Sequence, residues 1–314
     1  MSTKYILPKE GFFYKANMHC HSTLSDGMLT PEELKLAYKA HGYSIIAYTD
    51  HRVCVSHNEL TDSSFLSLTG TELDNRTFDH GVEKACHICC ISKVPQGRDM
   101  MPQLPTTGIA DVNHTLAGIA EDNFILHYNH PIWSCETPME FNAYEGISGF
   151  EVYNHCSEVY AMEGDAVREY SYYIKSGKRV YPVAGDDNHN RINGRRYLTD
   201  SFGGFTMIKA KNLAYENIIG ALEHGDVYAS TGPELHEISI TDKKMHIKCT
   251  PVSKVIIKKA GVGICSQNII MDCDCLTDVT IDLTDMKQFV FVQIMDANGH
   301  YAVSRSIDES EWNN

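Results

Sequence analysis

The sequence predicts an α/β fold: a strand–helix barrel over residues 1–230, followed by a small antiparallel β-sandwich over 231–314. Three observations predict it. Apolar runs of strand length alternate with helical patterns through the first two thirds of the chain. Most of these runs end in a histidine or a carboxylate, where parallel-strand folds place their chemistry. Beyond Ala229-Ser230-Thr231-Gly232-Pro233-Glu234 the helical periods vanish and short alternating strands take over.

The elements follow in order. The run Gly11–Ala16 approaches a strand that leads into Asn17-Met18-His19-Cys20-His21, and Ser25-Asp26-Gly27 forms a turn. Residues i and i+2 of a strand share a face, so His19 and His21 can aim at one point. Thr30-Pro31-Glu32-Glu33 is a helix start with a cap, a proline at the first position and a glutamate three residues past the cap. Gly42 ends that helix. Tyr43–Tyr48 is a strand leading to Asp50 and His51, which completes a βαβ unit. Phe65–Glu72 is a short strand ending in a carboxylate, and Ala85–Ile91 is a buried strand carrying His87. Residues 107–123 read as a helix. Phe124–His130 is a strand stopped by Pro131, and Gly149–Asn154 is another. Residues 158–176 read as a helix closed by Gly177. Val180–His189 runs again from apolar to acid and histidine, and 212–224 form a last helix ending at Gly225. About seven strands alternating with helices suggest a closed parallel barrel whose ligands meet at one rim. The sandwich strands are expected at 237–241, 244–249, 254–259, 279–283, 289–296 and 301–307.

Composition narrows the function. The chain has 314 residues, 43% apolar and 22% charged, with a net charge of −14, which argues against a broad nucleic-acid surface. The amino-terminal segment has no apolar export signal, and no run is long enough to span a bilayer, so a cytoplasmic protein without a membrane partner is expected. The eleven cysteines are odd in number, so reduced thiols are expected. Cys86, Cys89 and Cys90, and the Cys273/Cys275 pair, lack the spacing of a structural zinc site and read as small core residues. Gly261-Val262-Gly263 has neither a third glycine nor a following helix, and so is no dinucleotide fingerprint.

The strand-end constellation is His19, His21, Asp26, His51, Glu72, His87, His130, Asp187 and His189. Buried histidines and carboxylates are costly unless paired or metal-bound. Mixed imidazole and carboxylate donors suit zinc, manganese or iron.

In this order, the motifs HCHSTLSDG, TPEE, TDH, GTE, HP and GDDNH resemble the polymerase and histidinol phosphatase (PHP) superfamily, over residues about 12–235. An aromatic-Lys-Ala-Asn lead-in, Gly-Lys-Arg-Val before the last motif and Tyr-Ala-Ser-Thr-Gly-Pro resemble its carbaryl-hydrolase-like branch. The resemblance implies a distorted (β/α)7 barrel holding two or three divalent ions, manganese, iron or zinc. It matches His19, His21 and Asp187 to a first metal, Glu72 to a bridge between first and second, and His87 and His130 to the second. His51 and His189 go to a third, with Asp26 standing where the family often has histidine.

Other residues carry plainer expectations. Asp50 and Asp186 are expected to support neighbouring ligands. His127 is expected to be structural, and Glu151 is open between orienting a ligand and binding substrate. Arg191, Arg195 and Arg196 follow the last motif on a loop; Arg195 and Arg196 are taken as phosphate-gripping residues. The expected activity is hydrolysis of a small phosphate ester by a metal-activated hydroxide, with His189 as a source of the leaving-group proton. Two alternatives stay open: carbamate, amide or ester hydrolysis by the same machinery, and metal or ligand binding without turnover. Whether the protein forms oligomers is also open.

Overall fold

A computed structural model describes residues 3–260, 267–270 and 275–313. Gly261-Val262-Gly263 and Cys273 lie outside the described residues. In chain order the strands and helices are β1 (Lys4–Tyr5), β2 (Phe12–Asn17), α1 (Pro31–Ala40), β3 (Ile45–Tyr48), β4 (Leu66–Asp79), β5 (Val82–Ser92), α2 (Ile109–Glu121), β6 (Phe124–Tyr128), α3 (Pro138–Phe141), β7 (Gly149–Asn154), α4 (His155–Ala161), α5 (Val167–Lys175), β8 (Tyr181–Gly185), β9 (Arg191–Ile192), β10 (Arg195–Arg196), β11 (Phe205–Ala210), α6 (Tyr215–His224) and β12 (Val227–Ser230). Among the described residues the remainder forms strands and one short 3₁₀ turn: β13 (Leu235–Thr241), β14 (Lys244–Val252), β15 (Lys254–Lys259), β16 (Gln267–Ile270), β17 (Leu276–Asp282), β18 (Phe289–Met295), β19 (Tyr301–Ser304) and β20 (Ile307–Asp308). The protein is thus a mixed α/β molecule with one large sheet, and the change of texture falls where β12 ends.

The first βαβ unit forms as its sequence dictates. Thr30 Oγ1 accepts from Glu33 N–H at 3.3 Å while Glu33 Oε2 accepts from Thr30 N–H at 2.9 Å, a reciprocal cap on α1. Leu34 and Tyr38 turn inward, and β2, β3 and β4 pair in parallel. Thr30→Ala is expected to lower unfolding stability by about 1 kcal/mol in a urea titration; no change would mean the cap is redundant.

After β4 the structure departs from regular strand–helix alternation. The strand does not stop at Glu72 but runs to Asp79 and folds back as β5, antiparallel, with pairs from Gly70↔Ile91 to Asp79↔Val82. The turn is His80-Gly81, both at positive φ (+49° and +82°), the two-residue geometry that matches the twist of a hairpin. β5 is antiparallel to β6 as well, whereas β6, β7 and β8 are parallel. The expected helix at 158–176 is two helices, because Met162 caps α4 in the left-handed region (φ +59°) and Asp165 Oδ1 accepts from Val167 N–H at 3.1 Å.

The sheet curls so that its β8 edge returns to β11 and to the segment that follows β2. Beyond β8, Asp187 N–H donates to His19 O at 2.8 Å and His21 N–H to Asn188 O at 3.2 Å. Thr206 Oγ1 of β11 links to both Ala184 N–H and Ala184 O at 3.0 Å. Asp186 seals the same corner: it accepts from Tyr38 OH (2.7 Å) and from the N–H groups of Phe202, Gly203 and Gly204 (2.7–3.0 Å).

β11 and β12 carry the large sheet onward to β19, β18, β15 and β16. A second sheet, in the order β1-β13-β14-β17, faces this extension. Ile238, Ile240, Met245, Ile247 and Ile281 of the second sheet share one core with Val255, Ile257, Val290, Val292 and Ile294 of the first. Amino-terminal β1 belongs to this second sheet, with Lys4 opposite Ile240. The nine described cysteines are free. Among the described residues no helix is long and apolar enough to cross a membrane.

A second core lies between α2, α3, α5 and the sheet. At its edge Tyr128 OH donates to Glu136 Oε2 at 2.6 Å, and Tyr144 OH donates to Oε1. Burial pushes the Glu136 carboxyl up from its ordinary 4.5 to about 7, against the pull of the two hydroxyls. The folded protein then keeps a proton that the unfolded chain releases between those values, so stability falls as pH rises through that window. Relative to Glu136→Gln, the wild type is expected to lose on the order of 3 kcal/mol between pH 4.5 and pH 8. Urea titrations of both proteins across that range check this, and parallel curves would contradict it.

Candidate metal centre

The site forms where β2, β3, β4, β5, β6 and β8 end or pass one rim. Alternation beyond β2 puts His19 and His21 on the same side, their Nε2 atoms 3.2 Å apart, while Cys20 between them points away and its N–H donates to Thr49 Oγ1 at 2.9 Å. Both histidines are buried. Gly185 makes room for His19: a Cβ there would lie 2.7 Å from His19 Cβ and 3.0 Å from Glu151 Oε1.

Glu72 is the centre of the cluster. Its Oε1 lies 3.2 Å from His19 Nε2, 3.1 Å from His87 Nδ1 and 3.4 Å from His130 Nε2. Its Oε2 lies 3.3 Å from His21 Nε2 and 3.2 Å from His51 Nδ1. One fully buried carboxylate therefore faces five imidazoles. Asp187 Oδ1 is 3.2 Å from His19 Nε2 and 3.0 Å from His21 Nε2. His189 Nε2 is 3.4 Å from Asp26 Oδ2, and its Nδ1 lies 2.9 Å from the Asp187 carbonyl. His130 (φ +26°) and Asp187 (φ +52°) hold left-handed backbone, a strained geometry that recurs at functional sites.

The charges follow from this crowding. Burial disfavours the charge on Glu72 and Asp187, but the imidazoles outweigh it: His19, His87 and His130 hold Glu72, and His19, His21 and His189 hold Asp187, well below the usual carboxylate range. Burial also opposes the charge on His19 and His189. Asp187, Cys89, Glu72 and Glu151 overcome it at His19, and Asp26, Cys156 and Asp187 at His189, so both stay well above the ordinary value. His51 is lowered, chiefly by burial.

The donors group into three sets, each with ligand atoms within 4.8 Å of one another: His19, His21, Glu72 and Asp187; His51, Glu72 and His87; and His21, Asp26, His51 and His189. Hydrogen bonding alone does not satisfy them. His21 Nδ1, His51 Nδ1, Glu72 Oε2 and His87 Nε2 are buried without a hydrogen-bond partner. Each such atom costs about 1–3 kcal/mol, so convergent lone pairs of this kind fit divalent cations, and the nitrogen and oxygen donors fit zinc, manganese or iron.

All nine residues expected as ligands are brought together here. His130 reaches Glu72 but stands outside the three tight sets. The two arginines expected to grip phosphate are not brought to the site. Arg195 and Arg196 lie on the exposed β9–β10 hairpin, and Arg196 Nη1 pairs with Glu33 Oε1 at 2.7 Å, over α1. The cavity beside the cluster, about 270 Å³, is instead lined by Arg76. A signal was present in the sequence: Glu72, Asp74 and Arg76 alternate along one strand face.

Three supporting residues went unassigned or were left open. Glu151 Oε1 accepts from His19 Nδ1 at 3.1 Å, and its Oε2 accepts from His130 N–H at 2.8 Å and Asn154 Nδ2 at 3.0 Å. Asn154 Nδ2 also reaches Asp187 Oδ2 at 3.2 Å. Asn129 Nδ2 donates to Glu72 Oε1 at 2.7 Å. Asp50, expected as a support, accepts from the N–H and Oγ of both Ser22 and Ser25, and so fixes the loop that carries Asp26. His127 shares a 2.8 Å hydrogen bond with Tyr181 OH and is pushed down to about 3 by burial and then His19.

No family model and no curated protein matches the chain. Among solved structures it is similar to a two-domain protein from Bacteroides vulgatus ATCC 8482, described as containing a candidate PHP-like metal-dependent phosphoesterase. The identity is 16% and the TM-score 0.50, covering 96% of this chain and 98% of that one. It also overlaps a candidate metal-dependent phosphoesterase from Bifidobacterium adolescentis ATCC 15703 (15% identity, 60% and 90% covered, TM-score 0.41). A third overlap is with an amidohydrolase from Chromobacterium violaceum with bound sulfate and no metal (13% identity, 58% and 94% covered, TM-score 0.39). The latter two overlaps are too loose to carry weight. Across nearly its whole length, the chain shares its fold with the two-domain Bacteroides protein.

Proposed function

We propose that the protein is a metal-dependent hydrolase of the PHP type, and that it cleaves a small phosphate ester. The carrying observation is Glu72, a buried carboxylate facing five imidazoles with unpartnered donor atoms around it. In this reading the curled sheet is a distorted seven-stranded barrel, and residues up to about 230 form the catalytic unit. In it His19, His21 and Asp187 would hold a first ion and His87 and His130 a second, with Glu72 shared between them. His51, His189 and Asp26 would hold a third. Manganese, iron or zinc would supply Lewis-acid activation of water and neutralise charge on the substrate.

The chain's own residues do the rest. His189 Nδ1–H donates to the Asp187 carbonyl, which leaves Nε2 facing Asp26, free to bind an ion or to hand a proton to the departing oxygen. Arg76 stands on the cavity wall with one nitrogen on Glu83 Oε1 at 3.0 Å, placed to meet a substrate anion. In this reading the partner is a small phosphorylated molecule rather than a nucleic acid or a membrane, and the setting is the cytoplasm.

One observation favours a second reading. With Arg195 and Arg196 away from the cavity, Arg76 is the lone arginine among its lining residues, fewer cations than a phosphate clamp commonly uses. Carbamate, amide or ester cleavage, as the carbaryl-hydrolase-like resemblance implies, needs no such clamp. Manganese-loaded protein assayed with nitrophenyl phosphate, bis-nitrophenyl phosphate and nitrophenyl acetate separates the two. Phosphate turnover is expected; turnover of the acetate alone would move the protein to the acyl side.

A further inference from the structure

A second cavity lies on the other face of β4 from the metal centre. Arg76 lines the cavity beside the donors, whereas Asn75 and Thr77, which alternate with it, line a space of about 380 Å³ bounded by α2 and α3. That volume falls within the roughly 300–1,000 Å³ of small-molecule sites. Ile109 and Val112 of α2 and Met139 of α3 give it apolar walls. Two of its polar side chains are already engaged. Asn75 Nδ2 donates to Pro105 O at 2.6 Å, and Glu140 accepts from Lys84 Nζ at 2.6 Å and from Thr137 N–H at 2.7 Å.

Glu136 on the same wall is different. Each of its oxygens accepts one tyrosine hydroxyl, Tyr128 OH at Oε2 and Tyr144 OH at Oε1. An ionised carboxylate offers about four acceptor sites, so each oxygen keeps one in hand. Among the described residues Glu136 has no ion-pair partner, since Lys84 Nζ is placed on Asp79 (3.0 Å) and Glu140 (2.6 Å). Nor does it belong to any of the three sets of converging metal donors. A carboxylate beside apolar walls, with neither counter-charge nor fellow ligands, suits an organic cation rather than a metal ion.

We propose that this cavity binds a small primary amine, with its ammonium on Glu136 and its apolar body against Ile109, Val112 and Met139. The net charge of −14 attracts such a ligand. The site is independent of the hydrolase reading. Binding is linked to pH, because burial pushes the Glu136 carboxyl up to about 7. Facing it are Tyr128 from β6, Cys86 and Lys84 from β5, Glu140 from α3, and Tyr144 just beyond. The tyrosines, Cys86 and Lys84 are held above their ordinary values and Glu140 below its own. Within this group Glu136 alone changes charge between pH 5.5 and pH 8, and the ammonium favours its ionised form.

Calorimetric titration of the full-length protein with hexylamine and with hexan-1-ol, at both pH values, tests the proposal. Hexylamine stays protonated throughout. At pH 8 it is expected to bind on the order of tenfold more tightly than the alcohol, and to lose on the order of tenfold in affinity at pH 5.5 while the alcohol changes little. Glu136→Gln should bring the two ligands level and remove the pH dependence. Ala143→Trp, which fills the cavity from its lining and leaves Glu136 in place, should weaken both ligands. Hexylamine that does not bind, that binds no better than the alcohol, or that binds either variant as tightly as the wild type would overturn the site.

Discussion

Glu72→Ala is expected to abolish metal binding at the two sites it joins and to lower turnover on the order of 10³-fold or more. The reason lies in its contacts. Five imidazoles lie within 3.4 Å of its two oxygens, and Oε2 has no hydrogen-bond donor of its own. Removing the carboxylate takes away the bridge and leaves His19, His21, His51, His87 and His130 crowded without an opposing charge. Glu72→Gln tells charge apart from space: its amide keeps the volume but adds a donor where lone pairs are needed, so it should fail as badly as alanine. Elemental analysis beside an activity assay checks both. Either variant keeping a full metal complement would show that the cluster is held together for structural reasons.

Glu151→Gln is expected to weaken metal affinity about 10–100-fold, although Glu151 is not itself among the donor sets. Its carboxylate orients His19 through Nδ1, fixes the backbone of His130, and shares Asn154 with Asp187. One side chain therefore positions groups assigned to both the first and the second ion. A purely structural role would lower the melting temperature and leave the metal dissociation constant alone. A positioning role predicts the reverse pattern, with activity returning as manganese is raised. Metal titrations of the apo variant decide between them. Unchanged affinity would remove Glu151 from the site.

The legible and illegible parts of this fold divide by range. His19 and His21 could be paired from sequence because strand alternation is local, and α1 because its cap is written in Thr30, Pro31 and Glu33. The β4–β5 hairpin was cut short because its His80-Gly81 turn resembles no common turn dipeptide, and its antiparallel course is set by pairing rather than by pattern. β1 was missed for the same reason: two residues, Lys4 and Tyr5, earn their place only by meeting Ile240 and Ser239. At the site, most donors are legible because they follow strand ends, whereas Glu72 and His87 lie within β4 and β5 and stand out only as polar residues in apolar runs. Arg195 and Arg196 do not line the cavity, because nearness in sequence to His189 is not nearness in space once the β9–β10 hairpin intervenes and Arg196 pairs with Glu33. Glu151 could not be decided, since nothing local says that its two oxygens reach His19 and His130 at once.

The most direct measurement is the metal content of the purified protein, taken before and after stripping with chelator and reloading with manganese or zinc. Two to three ions per chain in the wild type, and at most one in Glu72→Ala, is the result we expect. A wild-type protein that takes up no ion on reloading would contradict the metal centre at its core.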